Sequence, residues 1–352
     1  TKNKSVIVKY YSNSGIIITY LIFRSGKINM TNIKSRTHLK EGYEFITNLI
    51  SRNIDMIHLT NTITRGKELI AESVSNAQLS AEWYKSRLCK VTASTVYQII
   101  MDKPTYGSID EYIRDKAINI KGYKTFDGND ATRFGQTFEY LARCIYIDYA
   151  NTLSKGEVIH IAYEAGFFSH KIHDFIGASP DGIIEKRNRS GDILDYGLIE
   201  IKCPSRYEPI VTTVKEDKPH YYWQIQQQLY VTELKYCVFM NCSFAYYNGD
   251  IEVFITEPYM YKGVIVITSD GKKEYSPIIK ACDVNTVSIL NAFIIDVSNR
   301  HKPPYEIKPW ILYKFDVSEV DFDSEYISYI PRIKSTRDKF IKLSEELKDD
   351  DV

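Results

Sequence analysis

In the run LIEIKCP, Glu200 and Lys202 stand two residues apart among apolar neighbours. Residues i and i+2 of a β-strand share a face, so the carboxylate and the ammonium project together while Ile199, Ile201 and Cys203 point to the opposite side. A lone pair of this kind is most simply an ordinary surface ion pair. A third polar group argues against that reading here: Asp181 sits in a Ser-Pro-Asp-Gly turn directly after the apolar FIGA run. With NRSGD as a hairpin turn between the two runs, Asp181 reaches Glu200 across the ladder. Two converging carboxylates make an oxygen-rich site suited to Mg²⁺ or Mn²⁺. The lysine beside them can orient or deprotonate an attacking water, or neutralise charge that develops on a phosphorane-like transition state. The chemistry this set suggests is metal-assisted, in-line hydrolysis of a phosphodiester.

The elements that must position these residues are legible around them. SVIVKYY and IIITYLIF, separated by Asn13, Ser14 and Gly15, predict a hairpin, and the stretch that follows reads as helical to about Asn76. Residues 1–76 carry no chemical constellation and form an N-terminal accessory region. From Ala77 to about Ala150 the pattern stays helical, with Ser108 and Glu111 at capping-box spacing. Phe134, Phe138, Leu141 and Ile145 repeat at helical offsets and should face the core. EVIHIAYE, FIGASPDGIIE and GLIEIKCP then predict strands, and a helix is expected at about 219–231. KYCVFMNCSFAYY and DIEVFITEP read as two strands joined at Asn248 and Gly249. The acidic end EELKDDDV reads as a frayed terminus.

The chain has 352 residues with 45 Lys plus Arg and 45 Asp plus Glu, so attraction to nucleic acid must come from a local patch and not from net charge. Six cysteines, at 89, 144, 203, 237, 242 and 282, show no CxxC pair, which argues against a zinc ribbon or a disulfide framework and fits a reducing, intracellular setting. No signal-peptide layout and no apolar run near the roughly 20 residues that span a bilayer is seen, so a soluble protein without membrane association is expected. The 28 tyrosines in a chain rich in Ile, Lys and Asn are what AT-biased coding would produce. His170 and His173 form an HxxH spacing without a third ligand nearby and read as structural. The KRNR cluster at 186–189 could meet a DNA backbone or be a solvated turn; the two readings stay open.

The series KSRLCKVTAS, FGQTFEYLAR, GASPDGII, LIEIKCP and YYWQIQQQLYVT, in this order and spacing, resembles the phage lambda exonuclease-like (YqaJ-type) branch of the PD-(D/E)xK nucleases, to which the alkaline nucleases of large DNA viruses also belong. The resemblance covers roughly residues 80–245. It implies an α/β (α+β) fold: a nuclease core at 77–258 with a mixed central sheet flanked by helices, an accessory region at 1–76 and a C-terminal elaboration at 259–352. It implies a DNA exonuclease that acts on duplex ends, 5′ to 3′, with two Mg²⁺ (or Mn²⁺) ions. Asp181, Glu200 and Lys202 match the metal-binding carboxylates and the catalytic lysine, the Ile201 carbonyl a further metal ligand, and Glu139 a helix-borne acid that joins the metals. Gln224, with Tyr230 as a further candidate, matches the helix beside the catalytic sheet. Arg87 and Ser94 match groups that hold a terminal 5′ phosphate, a plausible anion site in its own right because arginine and a helix start both favour phosphate. Where that branch often has glycine before the VTAS element, this chain has Cys89 and Lys90. The implied companions are DNA ends and a single-strand-binding or strand-annealing protein, in a host nucleus or cytoplasm if the source is viral. Two alternatives remain: a viral nuclease that cuts internally or degrades host RNA, and a decayed DNA-end-binding protein.

Overall fold

The computed structural model describes residues 5–23, 27–75, 78, 80–101, 107–122, 130–280 and 283–347, apart from the side chains of residues 5 and 53–57. Two compact units divide between Asn61 and Thr62. The first contains β1 (Ser5–Tyr11), β2 (Ile17–Phe23), β3 (Ile28–Thr31) and the part of α1 (Arg36–Ser75) up to Asn61. The three strands form an antiparallel sheet in the order β1-β2-β3. Gly15 supplies the left-handed φ of 77° that the first turn needs. Val8, Tyr10, Ile18, Tyr20 and Met30 alternate toward α1, where they meet Phe45, Ile46 and Leu49. The sequence reading missed β3, because two inward residues, Ile28 and Met30, are too short a pattern to separate from the helix that follows.

The second unit continues with α2 (Ala81–Arg87), β4 (Val91–Thr92), α3 (Val96–Met101), α4 (Ile109–Ile120) and α5 (Asp130–Leu153). Next come β5 (Val158–Tyr163), β6 (Phe168–Ser169), β7 (Ile176–Ala178), β8 (Gly182–Asn188) and β9 (Ile193–Lys202). Then follow α6 (Val214–Asp217), α7 (Pro219–Thr232), β10 (Tyr236–Tyr246), α8 (Ile251–Thr256), β11 (Tyr261–Thr268), β12 (Lys273–Tyr275) and β13 (Ile279–Lys280). α9 (Thr286–Arg300), β14 (Tyr305–Asp321) and α10 (Ile330–Glu346) complete the chain. Among the described residues the main sheet runs β12-β11-β14-β10-β9-β8-β5, with β13 paired to β11. Only the β9–β10 pair is parallel in that row, which requires a crossover connection, and α6 and α7 provide it.

Helices cover both faces of this sheet. On one side α7 brings Trp223, Ile225 and Leu229 against Ile183, Tyr196, Leu198 and Phe239. On the other, α5 buries Phe138, Leu141 and Ile145 against Ile184, Ile199, Ile201 and Val238, with Phe138 stacked on Phe244 at 4.6 Å. Burying each such side chain stabilises the fold by about 1.5–3 kcal/mol. The expected mixed α/β architecture is therefore what the chain adopts, and the capping box at Ser108 and Glu111 is formed.

Two boundaries fall where the sequence carries no mark, and one expected strand is a helix. The units part at residue 61/62, whereas Asn76 and Ala77 lie outside the described residues. The last turns of α1 belong to the second unit because Leu69 is fully buried in its core, Gly66 lies against the Tyr196 ring, and Arg65 donates to the Thr232 carbonyl at 3.0 Å. The segment after 258, expected as a C-terminal elaboration, places β14 between β10 and β11 in the main sheet. DIEVFITEP, expected as a strand, forms α8 instead, since Asp250 caps its start by accepting from the Glu252 N–H and Phe254 and Ile255 turn into a core. The acidic end lies outside the described residues from 348 onward. No helix among the described residues is long and apolar enough to cross a membrane.

Candidate active site

The β8–β9 hairpin turns at Asn188–Asp192 and pairs Gly182 with Ile199, so Asp181 falls opposite Glu200. Alternation along β9 sends Leu198, Glu200 and Lys202 to the α7 side and Ile199, Ile201 and Cys203 to the α5 side. Cys203 is thus a core residue facing away from the polar pair, as its position predicted. Asp181 accepts a hydrogen bond from the Ile201 N–H at 2.6 Å, which fixes the SPDG turn against the strand. Its own carbonyl accepts from Arg143 Nη1 at 2.8 Å.

Glu200 is 1% exposed and its carboxylate is fully engaged. One oxygen accepts from Lys202 Nζ and from Gln224 Nε2, and the other accepts from Gln228 Nε2 at 2.6 Å. A buried charge persists only with such partners. Gln224 and Gln228 lie one helical turn apart and present one face of α7 to the carboxylate. Gln228 is the functional candidate the sequence reading could not separate from its neighbours. Gln227 instead ties the Val91 and Gly177 carbonyls together, and Gln226 bonds the Asp321 carbonyl and the Asp323 N–H. Tyr230 is not at this site: its hydroxyl meets His173 Nδ1 at 2.8 Å and its ring stacks on His170. Six residues along the helix from Gln224 is a different face. Tyr221 takes the place beside the lysine, with Lys202 Nζ 5.0 Å from its ring centre.

The carboxylates repel one another. Burial, then the charges of Glu200 and Glu139, raise the Asp181 pKa well above the ordinary range. Burial and Glu200 also raise that of Glu139, against the pull of Arg143 and Lys202. Desolvation alone would lower the Lys202 pKa, but Glu200 and Asp181 outweigh it and raise it. Among the described residues no three His, Cys, Asp or Glu side chains are gathered into a ready-made ligand set, since Asp181 and Glu200 are turned onto hydrogen-bond donors of the protein. The mutual repulsion of Asp181, Glu139 and Glu200 is nevertheless the excess negative charge that a divalent cation would offset.

A second polar cluster lies on α2 and the segment after it. Arg87 stacks its guanidinium over the Trp83 ring at 3.9 Å. Trp83 Nε1 in turn donates to Ser179 Oγ at 3.0 Å, two residues from Asp181. Burial lowers the Arg87 pKa to about 10, and burial and Arg87 lower that of Lys116 to about 8. Neither cation forms an ion pair among the described residues; Lys116 Nζ bonds only the carbonyls of Arg87 and Lys90. Ser94 is exposed within a single 3-10 turn at Ala93–Thr95, so it does not cap the following helix, and Thr92 at the cap position makes no side-chain cap bond.

The remaining polar motifs are structural or committed elsewhere. His170 Nδ1 accepts from the N–H groups of Ile172 and His173 and holds their turn. In the KRNR cluster Lys186 pairs with Glu319, Arg187 with Glu185, and Arg189 with the Gly156 carbonyl.

Residues 82–235 match the YqaJ-like viral recombinase domain, the branch indicated by the order of the motifs. An uncharacterised protein of Acanthamoeba polyphaga mimivirus is 33% identical over 178 residues, which is 49% of this chain and 30% of that one, so the chain spans under a third of that relative's length. Among solved structures the chain is similar to an alkaline exonuclease from Laribacter hongkongensis at 20% identity, covering 76% of this chain and 95% of that one with a TM-score of 0.43. It is also similar to a phage-related exonuclease from Haemophilus somnus at 15% identity, covering 74% and 96%, with a TM-score of 0.40.

Proposed function

We propose that this chain is a divalent-metal-dependent deoxyribonuclease that degrades duplex DNA from its ends in the 5′ to 3′ direction. The observation that carries the reading is Glu200, buried, held by Lys202, Gln224 and Gln228, and facing Asp181 across one hairpin. Asp181, Glu200, Glu139 and the Ile201 carbonyl would hold Mg²⁺ or Mn²⁺, which supplies the charge that activates a water and offsets negative charge on the phosphate. Lys202, whose pKa Glu200 and Asp181 raise against the effect of burial, would orient or deprotonate the attacking water or supply positive charge beside the scissile phosphate. Gln224 and Gln228 hold the Glu200 carboxylate in one orientation. Arg87, Lys116 and Ser94 supply cations and a hydroxyl for a terminal phosphate, and the Trp83–Ser179 bond keeps that pocket in register with Asp181. The implied partners are duplex ends and, for the single strand left behind, a strand-binding or strand-annealing protein.

The test is the purified chain on internally and end-labelled linear duplex with Mg²⁺, followed over time on a denaturing gel. Mononucleotide release from the 5′ end, absent with chelator and absent in Lys202→Ala, is the expected result. Cleavage of closed circles as fast as linear duplex would remove the end-directed part, and no cleavage with any divalent metal would remove the assignment.

A further inference from the structure

The neutral charge of the whole chain hides a partition. Residues 1–61, the first compact unit, contain nine Lys and Arg but three Asp and Glu, a net charge of plus six. The balance falls on the second unit, which contains the acidic site. Lys9, Lys27, Lys34, Arg36 and Lys40 of the basic unit are all exposed.

Its sheet has two unlike faces. Val8, Tyr10, Ile18 and Tyr20 face α1 and form the small core. The alternate residues of β1, Ile7, Lys9 and Tyr11, point the other way and stand opposite Leu21, Thr19 and Ile17 of β2. Ile7 is 60% and Tyr11 68% exposed, and Lys9 is exposed between them. A soluble sheet face that is only shielding a core would carry polar residues at those positions. Beside the polar Thr19, Asn29 and Thr31, this one carries an aromatic ring, aliphatic flanks and a lysine.

We propose that this face binds single-stranded nucleic acid, with Tyr11 as a base-stacking platform, Ile7, Ile17 and Leu21 as its apolar surround, and Lys9 following the phosphates. Charge complementarity selects a polyanion over an apolar protein segment. The exposed ring selects a single strand over a duplex, because only unpaired bases offer their faces for stacking. A nuclease that resects one strand leaves the other as such a ligand, although the binding stands independently of that reading.

The test uses the full chain in metal-free buffer, with fluorescein-labelled dT20 followed by anisotropy and a hairpin duplex of equal charge as comparison. The unaltered chain should prefer dT20, and Lys9→Ala combined with Tyr11→Ala should weaken dT20 binding at least tenfold. Tyr11→Phe should retain it, since the stacking ring remains. The double variant should also show a shallower dependence of log affinity on log salt, by about 0.7 for one lost phosphate contact on a single strand. Both positions are exposed, so an unchanged thermal melt separates lost binding from lost folding. Wild-type dT20 affinity in the double variant overturns the proposal, as does equal loss of duplex and dT20 binding, which would mark a general polyanion surface. Lys202→Ala should bind dT20 normally; a wild-type chain that binds dT20 but cleaves nothing would sink the catalytic reading alone.

Discussion

Lys202 lies against the buried Glu200 carboxylate, and, against the effect of burial, Glu200 and Asp181 raise its pKa. Lys202→Ala and Glu200→Gln are each expected to lower cleavage by several orders of magnitude with duplex affinity largely kept, since both act on the chemical step. Single-turnover rates beside equilibrium binding check this, and near-normal turnover in either variant would contradict the site. If Arg87 holds a terminal phosphate as proposed, a duplex with a 5′ phosphate should be degraded about tenfold to a hundredfold faster than one with a 5′ hydroxyl, the scale of a charge-assisted contact of roughly 1.5–3 kcal/mol. Arg87→Ala should erase that preference. Trp83→Phe, which keeps a ring beneath the guanidinium but loses the donor to Ser179, should keep the preference and lower the maximal rate; competition between the two duplexes measures the first and saturating rates on each alone the second. The meeting of Glu200 with Lys202 was legible because strand alternation puts both on one face, and the NRSGD turn was enough to set Asp181 opposite Glu200. Gln228 was not legible, because four glutamines in five residues look alike until the rotation of α7 against β9 is known.

At the scale of elements, the hairpins at residues 13–15 and 188–192 were legible from a turn between two apolar runs, whereas the same signal at 248–249 misled. The failure at 250–256 has a local cause: a six-residue apolar run fits a strand or a helix equally, and the N-cap bond of Asp250 tips the balance. The end of that short helix is held by Lys262, buried on β11, which donates to the carbonyls of Phe254, Ile255 and Glu257. The boundary of the units was illegible because α1 has no break in sequence where its partners change. Gly66 marks the change, for a Cβ there would stand 2.2 Å from the Tyr196 ring. Gly66→Ala is therefore expected to destabilise the second unit by about 1–3 kcal/mol, as overpacking does. Chemical denaturation should show a lower midpoint with an unchanged slope, and an unshifted midpoint would mean that α1 does not press on β9.

Over the whole molecule, acid should act through carboxylates tied between distant segments. Asp323 accepts from the Glu325 N–H, Lys215 and the Tyr222 hydroxyl, which lower its pKa from 3.8 to about 2 and join α6 and α7 to the C-terminal segment. Glu274, held by Arg300 and then His301, is likewise lowered from 4.5 to about 2. Both bind protons more weakly folded than unfolded, so the stability they contribute is present above pH 4.5 and is lost as pH falls toward 2. Urea midpoints between pH 5 and 2.5 should fall, and Asp323→Asn should flatten part of that decline; an equally steep fall in the variant would exclude the tie. The placing of β14 between β10 and β11 has a consequence for the order of synthesis. Asp181, Glu200, Lys202, Gln224 and Gln228 have all been translated before the strand that flanks β10 exists, and Tyr326, whose hydroxyl holds Gln227 on α7, comes later still. Domains fold as units once their pairing partners have emerged. A nascent chain that ends short of residue 305 thus carries all five side chains without the frame that aligns them.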